Sequence, residues 1–203
     1  MAGGFDIEAR MAEVVGDGPR IEPLSDEDIT GEARELVDKV RAGAGAGPAS
    51  SVPEYMRTMA KHPPLFRVQM ETGAVFFNGR IPAREREIAV LRIGWLCGAP
   101  YEWGQHVVIA KRVGLTSEDV ERVIAGSAAP GWSAHEAAIL RGVEELLDNK
   151  AISGATWDAL AQAWDEQQLL EFPAMVGQYV AIAFVQNSIR SRMEEVNPGL
   201  SFR

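Results

Sequence analysis

Residues 84–114 contain two apolar helical patterns that meet at a short turn, and this segment constrains the fold more than any other. In its first half, apolar side chains recur every three or four residues, as at Ile88, Leu91 and Trp95. That spacing places them on one face of an α-helix. A Gly-Ala-Pro turn follows, and its proline, Pro100, suits the first position of a second helix. The segment therefore predicts a helical hairpin.

The same helical spacing recurs along the chain, and no segment alternates convincingly as a strand would. A capping box is predicted at Ser133 with Glu136, while Thr116 with Asp119 is expected to open one helix and Asp165 with Gln168 to cap the last. Pro173 lies inside the last helix and is expected to kink or split it. We predict an all-α protein with roughly eight or nine helices and short connections. The expected helices cover residues 25–40, 51–62, 65–77, 83–96, 101–113, 116–125, 133–148 and 157–164, and the last begins at 165.

At 203 residues the chain is long enough for one sizeable core. Residues 1–24 combine glycines, prolines and scattered charge, and we predict that they form an extended N-terminal arm. Residues 25–203 are predicted to form a single all-helical domain. Within it, residues 42–48 (AGAGAGP) favour a mobile loop, because glycines are conformationally costly to order.

The composition excludes several classes of partner. A net charge of −9 opposes binding to a nucleic-acid backbone or to an anionic membrane surface. The single cysteine excludes an internal disulfide and a multi-cysteine zinc site. The N-terminus has no signal-peptide pattern, and the longest apolar segment, residues 172–185, is shorter than the roughly 20 residues that span a bilayer. We expect a cytoplasmic protein without nucleic-acid or membrane partners.

Chemically useful side chains concentrate at the predicted hairpin. Glu102 and His106 are four residues apart and share one helix face, so the carboxylate can orient the imidazole and raise its basicity. Glu87 lies on the preceding helix, where the hairpin can return it towards His106 and desolvation would raise its pKa. Tyr101 and Cys97 adjoin this group. A proton donor and an acceptor with separated pKa values are what acid–base catalysis requires.

Structural explanations exist for each of these residues. A Glu–His pair four apart is commonly a surface pair, and a lone cysteine such as Cys97 is commonly a small buried hydrophobic residue. Tyr101 is equally suited to packing. His62 and His135 are expected to be structural or exposed.

The sequence predicts no cofactor. A metal site with Glu87, Glu102 and His106 is conceivable, but the cluster lacks a second histidine. The chain also has no phosphate-binding loop, no dinucleotide fingerprint and no G-x-S-x-G nucleophile motif.

The runs R-E-R-E-I-A-V-L-R and C-G-A-P-Y-E-W-G-Q-H, followed by G-L-T, resemble the carboxymuconolactone decarboxylase family, which includes the alkylhydroperoxidase D-like proteins. The H-P-P-L-F run at residues 62–66 and residues 157–187 also resemble the longer members, so the resemblance covers about residues 50–190. It implies a helical bundle of the alkylhydroperoxidase D-like type. It also implies a homo-oligomer, often a trimer or hexamer, with sites close to subunit contacts.

Peroxidase members of this family carry the pattern Glu…C-x-x-C-x-x-x-His. Counting back from His106, Glu87 matches the glutamate, and Ala99 and Glu102 stand where the two cysteines would be. Cys97 lies two residues earlier, and without a second thiol it cannot complete an intramolecular disulfide cycle. The Y-E-W-x-x-H version instead resembles members described only as decarboxylase-like.

Three hypotheses follow. The first is a cofactor-free lyase or isomerase that decarboxylates or isomerises a small carboxylate or lactone. In it, His106 acts as base or acid and is held by Glu102, Glu87 is the partner acid, Tyr101 binds a developing enolate oxygen and Cys97 lines the pocket. The second is a peroxide reductase that uses Cys97 as its single thiol. The third is a non-catalytic helical oligomer that binds a small apolar molecule.

Overall fold

The structure is a computed structural model that describes residues 4–43 and 52–203. Within these residues the chain forms ten α-helices, one short 3-10 turn and no strand. The helices are α1 (Ile7–Val14), α2 (Gly31–Gly43), α3 (Glu54–Met59), α4 (Pro63–Phe77), α5 (Ala83–Leu96), α6 (Pro100–Arg112), α7 (Ser117–Ala125), α8 (Ala134–Asn149), α9 (Gly154–Ala161) and α10 (Glu166–Ile189), and the 3-10 turn is Gly199–Ser201. The all-α prediction is confirmed, with ten helices rather than eight or nine.

Local sequence signals place most helix boundaries. The capping box predicted at Ser133 forms, and the helix starts expected at Thr116 and Asp165 are capping boxes as well; each side chain accepts from the backbone N–H three residues later. Pro100 occupies the first position of α6. α10 continues through Pro173 as one helix, so the proline does not split it.

We predicted that residues 1–24 form an extended arm. The structure corrects this prediction at residues 7–14, which form α1. Asp6 caps this helix by accepting from Ala9 N–H at 2.9 Å. Arg10 then donates to the carbonyl oxygens of Cys97 and Gly98, each at 3.0 Å. Residues 7–14 contain no glycine and form a helix, which Asp6 caps and which Arg10 joins to the α5–α6 turn.

The helix predicted from Ser25 begins six residues later, at Gly31. Ser25 instead closes a local turn with Asp28, whose carboxylate accepts from the serine hydroxyl at 2.6 Å. The chain then passes through a left-handed conformation at Gly31, where φ is +54°. The predicted loop at residues 42–48 lies outside the described residues after position 43, where α2 ends.

α5 is the central helix, and every residue from Arg86 to Trp95 is buried. It packs against α6, α7, α8 and α10. A helix that is buried on all sides must pair its charged side chains within the protein. Arg92 does so with Glu144, at 2.8 Å, and with two carbonyl oxygens at the end of α7. Glu87 is buried in the same interior, and its carboxylate pairs with Arg86 on α5 and His106 on α6.

Candidate active site

The α5–α6 hairpin brings Glu87 and His106 into contact across 19 residues of sequence. Gly98 adopts the left-handed conformation that the tight turn requires, with φ of +52°. His106 Nδ1 lies 2.7 Å from Glu87 Oε2. Glu87 is 0% exposed, so this hydrogen bond lies in the protein interior.

Glu102 contacts the other nitrogen of the same ring. It lies one helical turn before His106, and its Oε1 is 3.3 Å from His106 Nε2. Its second oxygen accepts from Gln186 Nε2 at 2.7 Å. The imidazole therefore lies between two carboxylates, and Glu102 is itself held in place from α10.

The surroundings of His106 favour its charged form. Burial alone would lower the pKa of the imidazole, but the carboxylates of Glu87 and Glu102 raise it to about 10. Burial alone would raise the pKa of Glu87, but His106 and Arg86, whose Nε donates to Glu87 Oε1 at 2.9 Å, hold that pKa below its ordinary value. The expectation that desolvation makes Glu87 a proton donor is therefore wrong, because the two cations outweigh burial.

The donor arrangement does not match the metal site that the sequence left open. Each imidazole nitrogen of His106 faces a carboxylate, so its lone pairs are not directed to a shared point with Glu87 and Glu102. In residues 4–43 and 52–203, no group of three histidine, cysteine, aspartate or glutamate side chains has the spacing to hold a metal ion.

A cavity of about 680 Å³ opens beside this group. Its wall is built from α2, α3, α4, α6 and α10, and much of it is apolar, as at Met56, Met70, Phe77 and Ile182. Glu102 and His106 also line it, whereas Glu87 is buried at the opposite ring nitrogen. Of the three residues in this acid–base group, Glu102 and His106 are therefore the two that a small molecule in the cavity can contact.

Tyr101 lines the cavity, but its hydroxyl is already engaged. It donates to Glu194 Oε1 at 2.7 Å and accepts from Tyr55 N–H at 3.4 Å. Burial and the Glu194 carboxylate raise the pKa of Tyr101 far above its ordinary value. Tyr101 thus lies where the sequence placed it, but its proton is committed to Glu194 rather than offered to a bound molecule.

Cys97 is the site residue that lies apart from the others. It caps the end of α5, and it is not among the described residues that line the cavity. Burial, more than offsetting the nearby Arg10 guanidinium, raises the pKa of its thiol to about 11. The expectation that Cys97 lines the pocket is wrong, because the turn directs its backbone carbonyl to Arg10 and Asn187 and leaves its side chain partly buried against the core.

Two cavity residues on α10 were not predicted from the sequence. Gln186 holds Glu102, and the ring of Tyr179 meets the His106 ring edge to face, with centroids 5.2 Å apart. They lie seven residues apart on one helix face. The only signal for them in the sequence is polar side chains inside a strongly apolar helix, and no local motif connects them to the hairpin.

Comparisons with known proteins agree with this architecture. Residues 64–145 match the sequence model of the Carboxymuconolactone decarboxylase family, a stretch that contains Glu87, Glu102 and His106 but not the α10 residues. No curated protein gives a significant sequence match.

Solved structures share the fold at low sequence identity. An alkylhydroperoxidase AhpD core, an uncharacterized peroxidase-related protein from Ralstonia eutropha, superposes with a TM-score of 0.73 at 17% identity, covering 87% of this chain and 93% of that one. The debrominase Bmp8, in complex with 2,3,4-tribromopyrrole, gives 0.72 at 17% identity, covering 87% and 92%. An uncharacterized peroxidase-related protein from a Silicibacter species gives 0.69 at 13% identity, covering 91% and 94%.

Proposed function

We propose that this chain, whose residues 64–145 match the sequence model of the Carboxymuconolactone decarboxylase family, is an enzyme that moves a proton on a small, largely apolar carbonyl compound. The reaction is an isomerisation or a decarboxylation and uses no cofactor. The observation that carries this proposal is the contact between the cavity-lining carboxylate of Glu102 and the buried imidazole of His106.

The residues take different roles from those that the sequence suggested. His106, held in its charged form by Glu87, is an acid and a fixed positive charge rather than a resting base. Glu102 is the base, because it is the carboxylate of this group that lines the cavity. Glu87 is an anchor for the imidazolium and does not touch the substrate.

The chemical step balances without an oxidant or a reductant. Glu102 takes a proton from the carbon next to the substrate carbonyl, and the C–H electron pair moves into an enolate. Return of that proton to a different carbon gives an isomer. In a decarboxylation, the bond to the leaving CO₂ supplies the electron pair, and the enolate carbon takes its proton from the imidazolium of His106, which then regains a proton from water. In either case, fixed charges and dipoles in a dry site lower the barrier by stabilising the enolate.

The cavity favours a lactone or ketone over a highly charged substrate. Its wall is largely apolar, and the charge on His106 is already paired with Glu87 and Glu102. Lys39 also lines the wall and is exposed, so a single substrate carboxylate would lie towards α2 rather than against Glu102.

Peroxide reduction is the weaker candidate. The attacking species in that chemistry is a thiolate. Cys97 lies outside the cavity lining, and its pKa of about 11 keeps the thiol protonated at neutral pH. A non-catalytic ligand-binding role needs only the cavity and gives no reason for a buried imidazole between two carboxylates.

Proton exchange tests the proposal without knowledge of the natural substrate. The protein is incubated in D₂O with α-angelica lactone, which isomerises by a proton shift, and with acetoacetate, which can decarboxylate. Deuterium incorporation and product formation are followed by ¹H NMR. We expect protein-dependent exchange that falls by about 100-fold or more in Glu102→Gln, with much of the rate retained in Cys97→Ser.

Two outcomes contradict the proposal. If neither probe exchanges or reacts faster with the protein than without it, the enzymatic role is wrong. If Cys97→Ser alone abolishes the reaction while Glu102→Gln retains it, the chemistry belongs to the thiol.

A further inference from the structure

We propose that the hydroxyl of Tyr179 binds the carbonyl oxygen of the substrate, while the Glu102 carboxylate acts on the neighbouring carbon. This inference rests on the proposed function. It assigns Tyr179 to the carbonyl oxygen of the substrate, whereas Glu102 acts on the carbon next to that carbonyl. It narrows the substrate class to molecules that carry a hydrogen-bond-accepting oxygen beside the reacting carbon.

All three tyrosines of the chain line the same cavity, but their hydroxyls differ. The Tyr55 hydroxyl donates to Gln69 Oε1 at 2.9 Å, and the Tyr101 hydroxyl donates to Glu194 at 2.7 Å. The Tyr179 hydroxyl has no hydrogen-bond partner among the residues that the structure describes. Tyr179 is therefore the tyrosine whose donor is left for a bound molecule.

An uncommitted hydroxyl in such a place needs an explanation. Tyr179 is only 7% exposed. The side chain as a whole is buried, but its hydroxyl oxygen is not among the buried polar atoms that lack a partner, so it remains accessible from the cavity. A tyrosine hydroxyl at a largely apolar wall is suited to pair with a polar atom of a molecule in the cavity.

Other donors near Glu102 are already engaged. Gln186 Nε2 donates to Glu102 itself, and the side-chain amide of Gln105 donates to Glu194. Both nitrogens of His106 face carboxylates. Among these groups, Tyr179 offers a neutral O–H that can point at a ligand without breaking an existing bond.

The placement of Tyr179 suits an oxyanion that forms during the reaction. Its ring lies edge to face with His106, at 5.2 Å between centroids, and Tyr179, His106 and Glu102 line the same cavity. Burial, together with the carboxylates of Glu102 and Glu87, raises its pKa well above the ordinary value, so the phenol keeps its proton at neutral pH. As Glu102 takes a proton from the substrate carbon, negative charge develops on the carbonyl oxygen and strengthens the bond from Tyr179.

A matched pair of probes measures this bond directly. Acetophenone and α-methylstyrene have nearly the same shape, and they differ in a carbonyl oxygen that is replaced by a CH₂ group. Their dissociation constants are measured by ligand-observed NMR for the wild-type protein and for Tyr179→Phe, which removes only the hydroxyl. We expect the wild-type protein to prefer acetophenone by roughly three- to tenfold, as one neutral hydrogen bond allows, and Tyr179→Phe to lose this preference.

Tyr55→Phe is the matched control, because it removes a cavity hydroxyl that already has an acceptor. It should keep the preference for acetophenone. Thermal unfolding adds a second readout: Tyr179→Phe should unfold at the wild-type temperature or above it, since no internal hydrogen bond is lost, whereas Tyr55→Phe should unfold at a lower temperature.

Three outcomes overturn the inference: equal affinity of the wild-type protein for the two probes, no binding of either, or an unchanged preference in Tyr179→Phe. These results leave the proposed function intact if Glu102-dependent exchange is observed with α-angelica lactone. Conversely, a Tyr179-dependent preference without any exchange supports the oxygen-binding role and contradicts the catalytic one.

Discussion

At the scale of single residues, the decisive feature is the charge of one buried imidazole. His106 is 8% exposed, yet Glu87 and Glu102 favour its protonated form. A buried charge persists only where partners and hydrogen bonds compensate for its desolvation. The protein thus keeps an acid and a base in contact at the cavity wall, and this arrangement has consequences for stability as well as for chemistry.

The first prediction concerns stability and pH. The pKa of His106 is raised in the folded protein to about 10, from an ordinary value of 6.5. Its contribution to stability is therefore complete below about pH 6.5 and is lost as the pH rises towards 10. Melting temperatures measured between pH 6 and pH 10 should fall more steeply for the wild-type protein than for His106→Gln. Parallel curves for the two proteins would show that the imidazole does not carry this charge.

The second prediction concerns the anchor. Glu87→Ala leaves His106 and Arg86 buried without their shared carboxylate, and breaking a buried pair in this way costs about 3–5 kcal/mol. Urea denaturation should show that loss. Glu71→Ala, which removes an exposed carboxylate on α4, is the control and should change the unfolding free energy little. Equal effects of the two substitutions would contradict the account of the ion pair.

At the scale of elements, the C-terminal segment that follows α10 holds α6 in place. Trp103 Nε1 donates to the carbonyl oxygen of Phe202 at 3.0 Å, and Asn197 Nδ2 donates to that of Tyr101 at 3.3 Å. Glu194 accepts from Tyr101. Because Tyr101 lines the cavity, this segment supports one of its walls.

The third prediction follows from that contact. Glu194→Ala leaves the buried Tyr101 hydroxyl without its acceptor and should cost about 1–3 kcal/mol of unfolding free energy. It should also weaken acetophenone binding, since Tyr101 is then free to move in the cavity wall. Glu195→Ala, at the exposed neighbouring position, is the control and should do neither. A Glu194→Ala protein with wild-type stability would mean that the segment does not brace α6.

The elements also show what the sequence could and could not predict. The helices from α4 to α8 were predicted to within two residues, because Pro100, the capping boxes at Thr116 and Ser133, and the glycines after helices act locally. α1 was missed although Asp6 caps it, because the contacts of Arg10 with the α5–α6 turn cannot be seen in the sequence. Local signals report caps and turns, and they do not report contacts across the fold.

The candidate site divides in the same way. The spacing of Glu102 and His106 correctly predicted that they share one face of α6. The predicted hairpin also brings Glu87 into contact with His106. The charge on Glu87 was not predictable, since it depends on where Arg86 and His106 point. Tyr179 was not predictable either, because 73 residues separate it from His106 and only the packing of α10 brings the two together.

At the scale of the whole molecule, α10 is strongly apolar, yet one of its sides is exposed rather than packed against the core. Among the described helices, only α10 is long and apolar enough to cross a membrane by length and composition alone, and 33% of its most apolar stretch is buried within the chain. Leu170 is 72% exposed and Phe184 is 62% exposed. The family resemblance implies a homo-oligomer, and we expect this side of α10 to contribute to the contact between copies.

The fourth prediction tests that contact. Phe184→Asp places a charge on the exposed side of α10 and should reduce the molar mass measured by light scattering during size-exclusion chromatography, because burying an unpaired charge opposes association. Val196→Asp is the control, since Val196 is 83% exposed but lies beyond α10. A wild-type protein that is monomeric, or a Phe184→Asp protein with unchanged mass, would contradict this expectation.

The protonation state of His106 tests the central claim most directly. In protein labelled with ¹⁵N in its histidines, with the signals assigned by comparison with His106→Gln, both ring nitrogens of His106 should carry protons from pH 6 to pH 8. They should show no titration near pH 6.5. A neutral His106 ring at pH 7, with one unprotonated nitrogen, would contradict an imidazolium held between Glu87 and Glu102, and with it the acid and base roles assigned to this site.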